Sequence, residues 1–536
     1  MHSCLLIDEI ATTVIRNLCG LNRDADVLHL ALTCRALHEP AMDALWARTS
    51  WVLGKLLLCL PSDAVVLRRS RQSAYIIVIA RTLVQSEWSR FQHYAKRVEH
   101  VDLGTPWDGT SCETSLHIDL DTLKHMLRSK PWLGALLPNL RSIYLLPVFQ
   151  AYLPLLLHSN ITHFYMDGDE YMTCTDIQRI LEPLQVCAPR LESFVLRTDG
   201  LTEGPDGEVI SKQSTLFASF TALHLLDTSV PLTQTSFAHL GTHTVLRKIC
   251  LSAHVLPSPA INAAAPISIS FPHLRELKLT DRAVDLSRLL GLCSAPHLTT
   301  LWLIVTISAE ELNAPLAPTP NPSAYCMDHL AAALSRFTAL ETLHVELHHG
   351  YLDKRPPGRQ LMHGDAFLPL TALRDLRCLT LREFPVHLTP SVVAALARAW
   401  PRLERLELSR KTRVRDEARD AFNTGICIED LYPLAAHCPS LRSLVLSVAP
   451  TPPATPFFRA DEGMIVQRRL EHLDLRYSRV RSGQTCERIA RFLGAVFPNA
   501  QLHSWEENRK IIHEIERIMQ ESAILEDTFA LRSYPL

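Results

Sequence analysis

The chain has 536 residues, 47% apolar and 21% charged, a balance that supports packed interiors and excludes a chain disordered throughout. Its length exceeds what one compact core sustains, so the residues must build several cores or one elongated array. A formal net charge of -2 gives no general attraction to nucleic acid or to an anionic membrane surface.

Residues 1–50 stand apart from the rest of the chain. Asp8 and Glu9 break the first apolar stretch, so no secretory signal is expected there. Leu6, Ile7, Ile10, Val14, Ile15 and Leu18 recur at helical spacing, with the two acids in the first turn and Gly20 as the stop. Asp24 or Asp26 can cap a second helix carrying Val27, Leu28, Leu30, Ala31 and Leu32. Pro40 fits the first position of a third, followed by Ala41, Ala44, Leu45 and Trp46. Three short helices make a core near the lower limit for independent folding, and such a module leans on a partner or on its neighbour.

Residues 51–97 read as connecting helices and an N-terminal cap. Trp88, Phe91, Tyr94 and Val98 form a stripe at three- and four-residue spacing that is expected to cover the first open core of the next region. The runs Trp51–Leu60 and Tyr75–Ala80 are too short to span a bilayer.

From residue 98 to 505 one unit, L-x-x-L-x-L, returns at intervals. Leu403/Leu406/Leu408 is its clearest copy. Others are Val98/Val101/Leu103, Leu140/Ile143/Leu145, Ile161/Phe164/Met166, Leu191/Phe194/Leu196 and Phe220/Leu223/Leu225. Later copies include Leu274/Leu277/Leu279, Leu298/Leu301/Leu303, Leu340/Leu343/Val345, Leu441/Leu444/Leu446 and Leu470/Leu473/Leu475. The last two positions lie two residues apart and so share one face of a short strand. Helical segments fill several gaps, and Pro189, Pro401 and Pro439 each stop a helix just before a strand. Strand, turn and helix in each repeat is the plan of a leucine-rich-repeat solenoid, an α/β fold with parallel strands inside and helices outside. Polar or proline-rich inserts interrupt it at Asp199–Gln213, Leu256–Ser270, Asn313–Ser323, Lys354–Gly358 and Ala449–Thr455. Residues 506–536 are expected to supply a capping helix, with Ile511, Ile515, Ile518 and Met519 on one face, and a tail.

Motifs for chemistry are absent. The sequence contains no G-x-G-x-x-G, phosphate-loop, G-x-S-x-G or H-E-x-x-H pattern. Its 14 cysteines include no C-x-x-C pair, which points to reduced thiols in cytosol or nucleus, with no disulfide framework, zinc site or activated nucleophile. His344, Glu346, His348 and His349 are the densest cluster, read as surface strand residues because no fourth ligand is defined. No catalytic residue, metal or cofactor is therefore expected. Residues between the buried positions of each strand instead face the concave wall, a pre-shaped surface suited to binding. Tyr144, Tyr165, Trp302, His344 and Arg405 are the expected contacts with a bound protein, since aromatic side chains and arginine concentrate interface energy. Mixed charge among them disfavours nucleic acid.

The N-terminal residues carry a resemblance. Leu5-Leu6-Ile7-Asp8-Glu9-Ile10, then Ile15 and Leu18, then Leu28-His-Leu-Ala-Leu-Thr-Cys34-Arg35-Ala-Leu37, Pro40-Ala41 and Leu45-Trp46, resemble an F-box. The whole chain is most similar to fungal F-box proteins with a leucine-rich-repeat-like region. One departure is Ile7, where many F-boxes have proline. The resemblance implies that the helices dock on a Skp-type adaptor, which joins them to a cullin, while the repeats hold a protein substrate for ubiquitin-dependent degradation. It implies Leu6, Ile7, Ile10, Ile15, Leu18, Leu28, Cys34, Leu37 and Trp46 as the adaptor interface or its supporting core. The alternative is a leucine-rich-repeat scaffold acting independently of the ligase, which the Ile7 departure keeps open.

Overall fold

The computed structural model describes residues 8–20, 24–48, 52–69, 75–103, 116–118, 121–122, 124, 134–168, 172–198, 215–217, 219–252, 269–306, 322–348, 362–384, 386–409, 425–448, 464–475, 484–503 and 512–521. They fall into two compact units, Met1–Leu246 and Arg247–Leu536, so the division lies inside the repeat region.

The first unit begins with helices α1 (Asp8–Gly20), α2 (Asp24–Thr33) and α3 (Arg35–Arg48). Ile15, Val27, Ala31 and Ala41 are their buried core, with Leu18, Leu30, Met42, Ala44 and Leu45 packed half-buried against it. Helix α3 starts five residues ahead of the expected Pro40, which lies inside it. Proline has no N–H for the Ala36 carbonyl, and the helix runs through that missing bond.

After α4 (Val52–Leu57) the expected run of connecting helices gives way to strands. β1 (Val65–Arg69) and β2 (Tyr75–Ile79) pair antiparallel. The β-branched residues Val65, Val66, Ile76, Ile77, Val78 and Ile79 favour that extended form. The aromatic stripe does lie on a helix, in part on α5 (Ser89–Ala95). Trp88, Phe91 and Val98 are completely buried, and the first two meet edge to face with ring centroids 5.3 Å apart. Next come β3 (His100–Leu103) and β4 (Leu116–Ile118), the latter parallel to β2. The repeats continue through β5 (Ser142–Leu145), β6 (His163–Gly168), β7 (Ser193–Thr198) and β8 (Leu225–Thr228). In this unit β3, β5, β6, β7 and β8 pair in that order, all parallel.

The second unit contains β9 (Lys248–Leu251), β10 (Ile269–Ser270), β11 (Glu276–Arg282), β12 (Cys293–Ser294), β13 (Thr300–Thr306) and β14 (Thr342–His348). It continues with β15 (Met362–His363), β16 (Cys378–Arg382), β17 (Val386–His387), β18 (Arg405–Ser409), β19 (Ser443–Val445), β20 (His472–Asp474) and β21 (Gln501–His503). Nine of these pair parallel in the order β9, β11, β13, β14, β16, β18, β19, β20, β21. Two small parallel pairs, β10 with β12 and β15 with β17, accompany them.

Both units repeat one local device. In most repeats the amide of the first apolar residue donates to the carbonyl three residues earlier, as Leu140 to Leu137, Leu191 to Ala188 and Leu403 to Trp400. The next two amides then share one carbonyl of the preceding repeat. Arg141 and Ser142 both reach Glu99 O, and Glu404 and Arg405 both reach Arg377 O. Prolines set the approach. Ala188, Trp400 and Cys438, each just before a proline, lie at φ -123°, -117° and -114° with ψ 60°, 63° and 72°. That is outside the helical region, so each helix ends there.

One copy is displaced from its expected register. Phe194 pairs with Leu226 and Leu196 with Thr228. The repeat is therefore Leu223/Leu226/Thr228, three residues beyond the expected Phe220/Leu223/Leu225, and Leu225 is only half-buried. Thr228 hid the true copy because its hydroxyl breaks the apolar pattern. That hydroxyl is satisfied inside, accepting from the Val230 amide at 3.0 Å.

Near the end, where a coil leads into β20, buried Gln467 takes over backbone pairing. Its amide nitrogen donates to Leu441 O and Cys438 O, and its oxygen accepts from the Arg469 and Leu470 amides. A last helix covers 512–521, with Ile515 buried as expected of a capping helix; Ile511 lies outside the described residues. The expected inserts lie largely outside them too.

Candidate functional site

The helical module leaves apolar surface in water. Ile10 and Val14 on α1 and Leu28 and Leu32 on α2, each pair four residues apart, are 39%, 37%, 45% and 72% exposed. Four residues is about one helical turn, so each pair shares a face. Leu6 and Ile7 lie outside the described residues. Ile15 and Leu37 are buried and Leu18 packs against the core, which makes all three support for the exposed residues. Cys34 is half-buried. Trp46 turns inward: its ring stacks on Tyr94 at 4.6 Å and 22°, joining α3 to the segment before the first repeat. Val14 and Leu32 belong with the exposed set although sequence reasoning did not place them in the interface. The four-residue spacing from Ile10 and Leu28 was the available signal.

Arg97 reinforces that joint. Its guanidinium pairs with Glu39 at 2.5 Å and with Asp43, both on α3, and the Glu99 amide donates to Ala47 O. Burial opposes the Arg97 charge, but the two carboxylates outweigh it and hold its pKa above the ordinary arginine value. The module is thus fastened to the first repeat by a ring stack, two ion pairs and a backbone bond.

On the strand face of the first unit, Tyr144 and Tyr165 occupy equivalent positions of β5 and β6. Their rings stack at 4.6 Å and 18°. The Tyr165 hydroxyl donates to Asp167 at 2.8 Å, and burial together with that bond pushes its pKa up to about 12. Arg197 then pairs with Asp227 at 2.6 Å and lies 3.7 Å from Asp167. The Tyr144 phenol is also raised, by burial first and then by the nearby Asp167 and Asp102 charges. Both tyrosines are neutral hydrogen-bonding surfaces at physiological pH.

On the strand face of the second unit, Trp302 of β13 is 42% exposed and lies flat on His344 of β14, with centroids 4.4 Å apart. His344 itself is only 6% exposed, so the expected contact residue is a support for the indole instead. Burial lowers its pKa against the pull of Glu346, whose carboxylate lies 3.5 Å from Nε2. Arg405 is half-exposed and tied to Glu407 at 2.8 Å. Glu407 also receives Arg382 at 2.9 Å and the Ser409 hydroxyl at 2.7 Å. Burial alone would raise the Glu407 carboxyl, but these partners bring its pKa down to about 2.

Burial pushes the Cys293 and Cys438 thiols up to about 12, far from a thiolate at neutral pH. Among the described residues no three His, Cys, Asp or Glu side chains converge on a metal position. His349 of the expected cluster lies outside them. No helix among the described residues is long and apolar enough to cross a membrane.

No family model matches the chain, and no curated protein matches it. Among solved structures it is similar to an internalin from Listeria monocytogenes, 12% identical, covering 80% of this chain and 86% of that one, with a TM-score of 0.32. It is also similar to the Rad7 and Elc1 complex of yeast, 14% identical, covering 73% and 74%, with a TM-score of 0.32. The repeat fold rests on the parallel register and recurrent turns described above.

Proposed function

We propose that the chain is the substrate-recognition subunit of an SCF-type ubiquitin ligase. Its F-box-like helices would hold a Skp-type adaptor, and its repeat strands would hold a protein substrate. The observation that carries this reading is the uncovered apolar surface of Ile10, Val14, Leu28 and Leu32 on a module with a very small core. Such a surface gains most from a stable partner that removes it from water.

The joint around Arg97 and Trp46 gives the reading a mechanism. A rigid attachment keeps the adaptor at a set place relative to the first repeats, so a bound substrate is presented to the transfer machinery at high effective concentration. The chain itself makes and breaks no bond in this scheme. Tyr144, Tyr165 and Trp302 are the proposed anchors of the substrate, with Arg405 at lower rank because Glu407 already engages it.

The test is co-purification of the full chain with a Skp-type adaptor. Wild type should retain it and a Leu28→Asp/Leu32→Asp variant should lose it, while both melt at similar temperatures. Equal recovery from the two proteins would refute the ligase reading and leave a scaffold independent of the adaptor.

A further inference from the structure

The rim where the second unit's strands begin has a charge pattern that adaptor docking does not use. The residue after each first leucine lies on this rim, and its carbonyl receives the paired amides of the next repeat. Along the later repeats these residues are Glu341, Arg377, Glu404, Arg442 and Glu471, alternating in sign. They are also paired. Arg377 lies 3.5 Å from Glu341 and 3.2 Å from Glu404, and Arg442 lies 4.0 Å from Glu471.

Upstream of Glu341 the alternation fails. The equivalent residues are Arg247, Arg275 and Thr299, and His273 and His297 stand just before their strands. Among the described residues none of these two arginines and two histidines makes a side-chain ion pair or hydrogen bond. A groove of about 480 Å³ opens at this point, lined by Arg275, His273, His297 and Thr299 together with Glu341, Asp375 and Arg402. Its two carboxylates, Glu341 and Asp375, each already have an arginine, Arg377 for the first and Arg402, at 2.8 Å, for the second. The charge left without a counter-ion is therefore positive and sits on Arg275, with the two imidazoles beside it.

We propose that this rim groove is an oxyanion site that takes a phosphate group, with Arg275 as principal donor and His273 and His297 flanking it. A guanidinium presents a planar fork of N–H donors, and each imidazole adds another. More than two donors around one groove suit the three terminal oxygens and near-double charge of a phosphate monoester better than the two oxygens of a carboxylate. The inference is independent of the ligase reading, because no residue of the helical module takes part.

The experiment is calorimetric titration of the full chain with inorganic phosphate, a phosphoserine tripeptide and acetate, at low ionic strength. Saturable binding of phosphate or phosphopeptide is expected, with acetate at least about tenfold weaker. Arg275→Gln should weaken phosphate by about tenfold or more, the loss of one strong charge-assisted contact. Arg442→Gln removes the same charge from the same rim outside the groove and should leave the affinity unchanged. His273→Asn/His297→Asn, at two exposed positions, supplies a second disruption that does not depend on Arg275. A peptide tighter than inorganic phosphate assigns the site to phosphorylated protein, and the reverse assigns it to a free phosphate compound. The proposal is overturned if phosphate does not saturate, if acetate binds equally well, or if the Arg275 and Arg442 variants lose affinity alike.

Discussion

Replacing Leu28 and Leu32 with alanine separates partner binding from folding, because α2 holds both side chains away from its own core. Leu28 is 45% exposed and Leu32 is 72% exposed, so those fractions of each side chain are left for the proposed adaptor to bury. Full burial of a leucine is worth about 2 kcal/mol, which scales to about 1 kcal/mol for Leu28 and about 1.5 kcal/mol for Leu32. Losing both contacts should raise the dissociation constant for a Skp-type adaptor by roughly 60-fold, at 1.4 kcal/mol per tenfold. Folding stability should move by no more than about 0.5 kcal/mol, as for other surface substitutions away from caps and networks. Ile15→Ala is the contrasting variant. Ile15 is 1% exposed within the module core, and its truncation should cost about 2–4 kcal/mol of stability. Interferometry with purified adaptor gives the affinities, and thermal melting of the free chain gives the stabilities. An unchanged affinity in the double alanine variant would refute the argument, as would a loss matched by unfolding of the free protein.

Three further outcomes rest on particular contacts. If β8 has the register described, Leu226→Ala should cost about 2–5 kcal/mol in denaturant unfolding and Leu225→Ala much less; the opposite order would restore the Phe220/Leu223/Leu225 register. Gln467→Ala removes the partner of four backbone groups and should cost about 2–3 kcal/mol, measured in the same way, whereas a near-neutral result would show that the coil re-pairs. Glu407 has a folded-state pKa of about 2, below its unfolded value, so its contribution is present above the ordinary glutamate range and is lost as pH falls toward 2. Relative to Glu407→Gln, wild type should lose on the order of 2 kcal/mol between about pH 5 and pH 2. Parallel acid-unfolding curves for the two proteins would exclude that role.

The repeat was legible because its physical requirement is simple: two residues on one strand face and a third at the turn must be apolar. Thr228 shows where that legibility stops. A buried hydroxyl with a local backbone donor meets the steric requirement while violating the apolar one, so periodicity alone places the copy three residues too early. The antiparallel pair β1–β2 escapes local periodicity for a different reason. Its partner strand β4 lies some 40 residues downstream of β2, beyond the reach of any short window. At the candidate sites, residue types could be read but not which way a ring would turn. Trp46 and His344 carry the right chemistry for a contact. Each is instead stacked against a neighbouring ring, Tyr94 for one and Trp302 for the other.

Those stacks bear on which strand residues can anchor a substrate. Tyr144 with Tyr165, and Trp302 with His344, occupy the same column of their repeats, and in each pair one ring lies on its neighbour across adjacent strands. A ring held this way has already lost much of its rotamer freedom, so less conformational entropy remains to be lost on binding. Trp302 keeps much of its surface in water while His344 beneath it is buried, and Tyr165 is further fixed by its bond to Asp167. Arg405 is in a weaker position for contact, since a partner must compete with Glu407 for its guanidinium. Preorganisation therefore favours the two tyrosines and Trp302 as the anchors of the proposed substrate, with His344 supporting the indole.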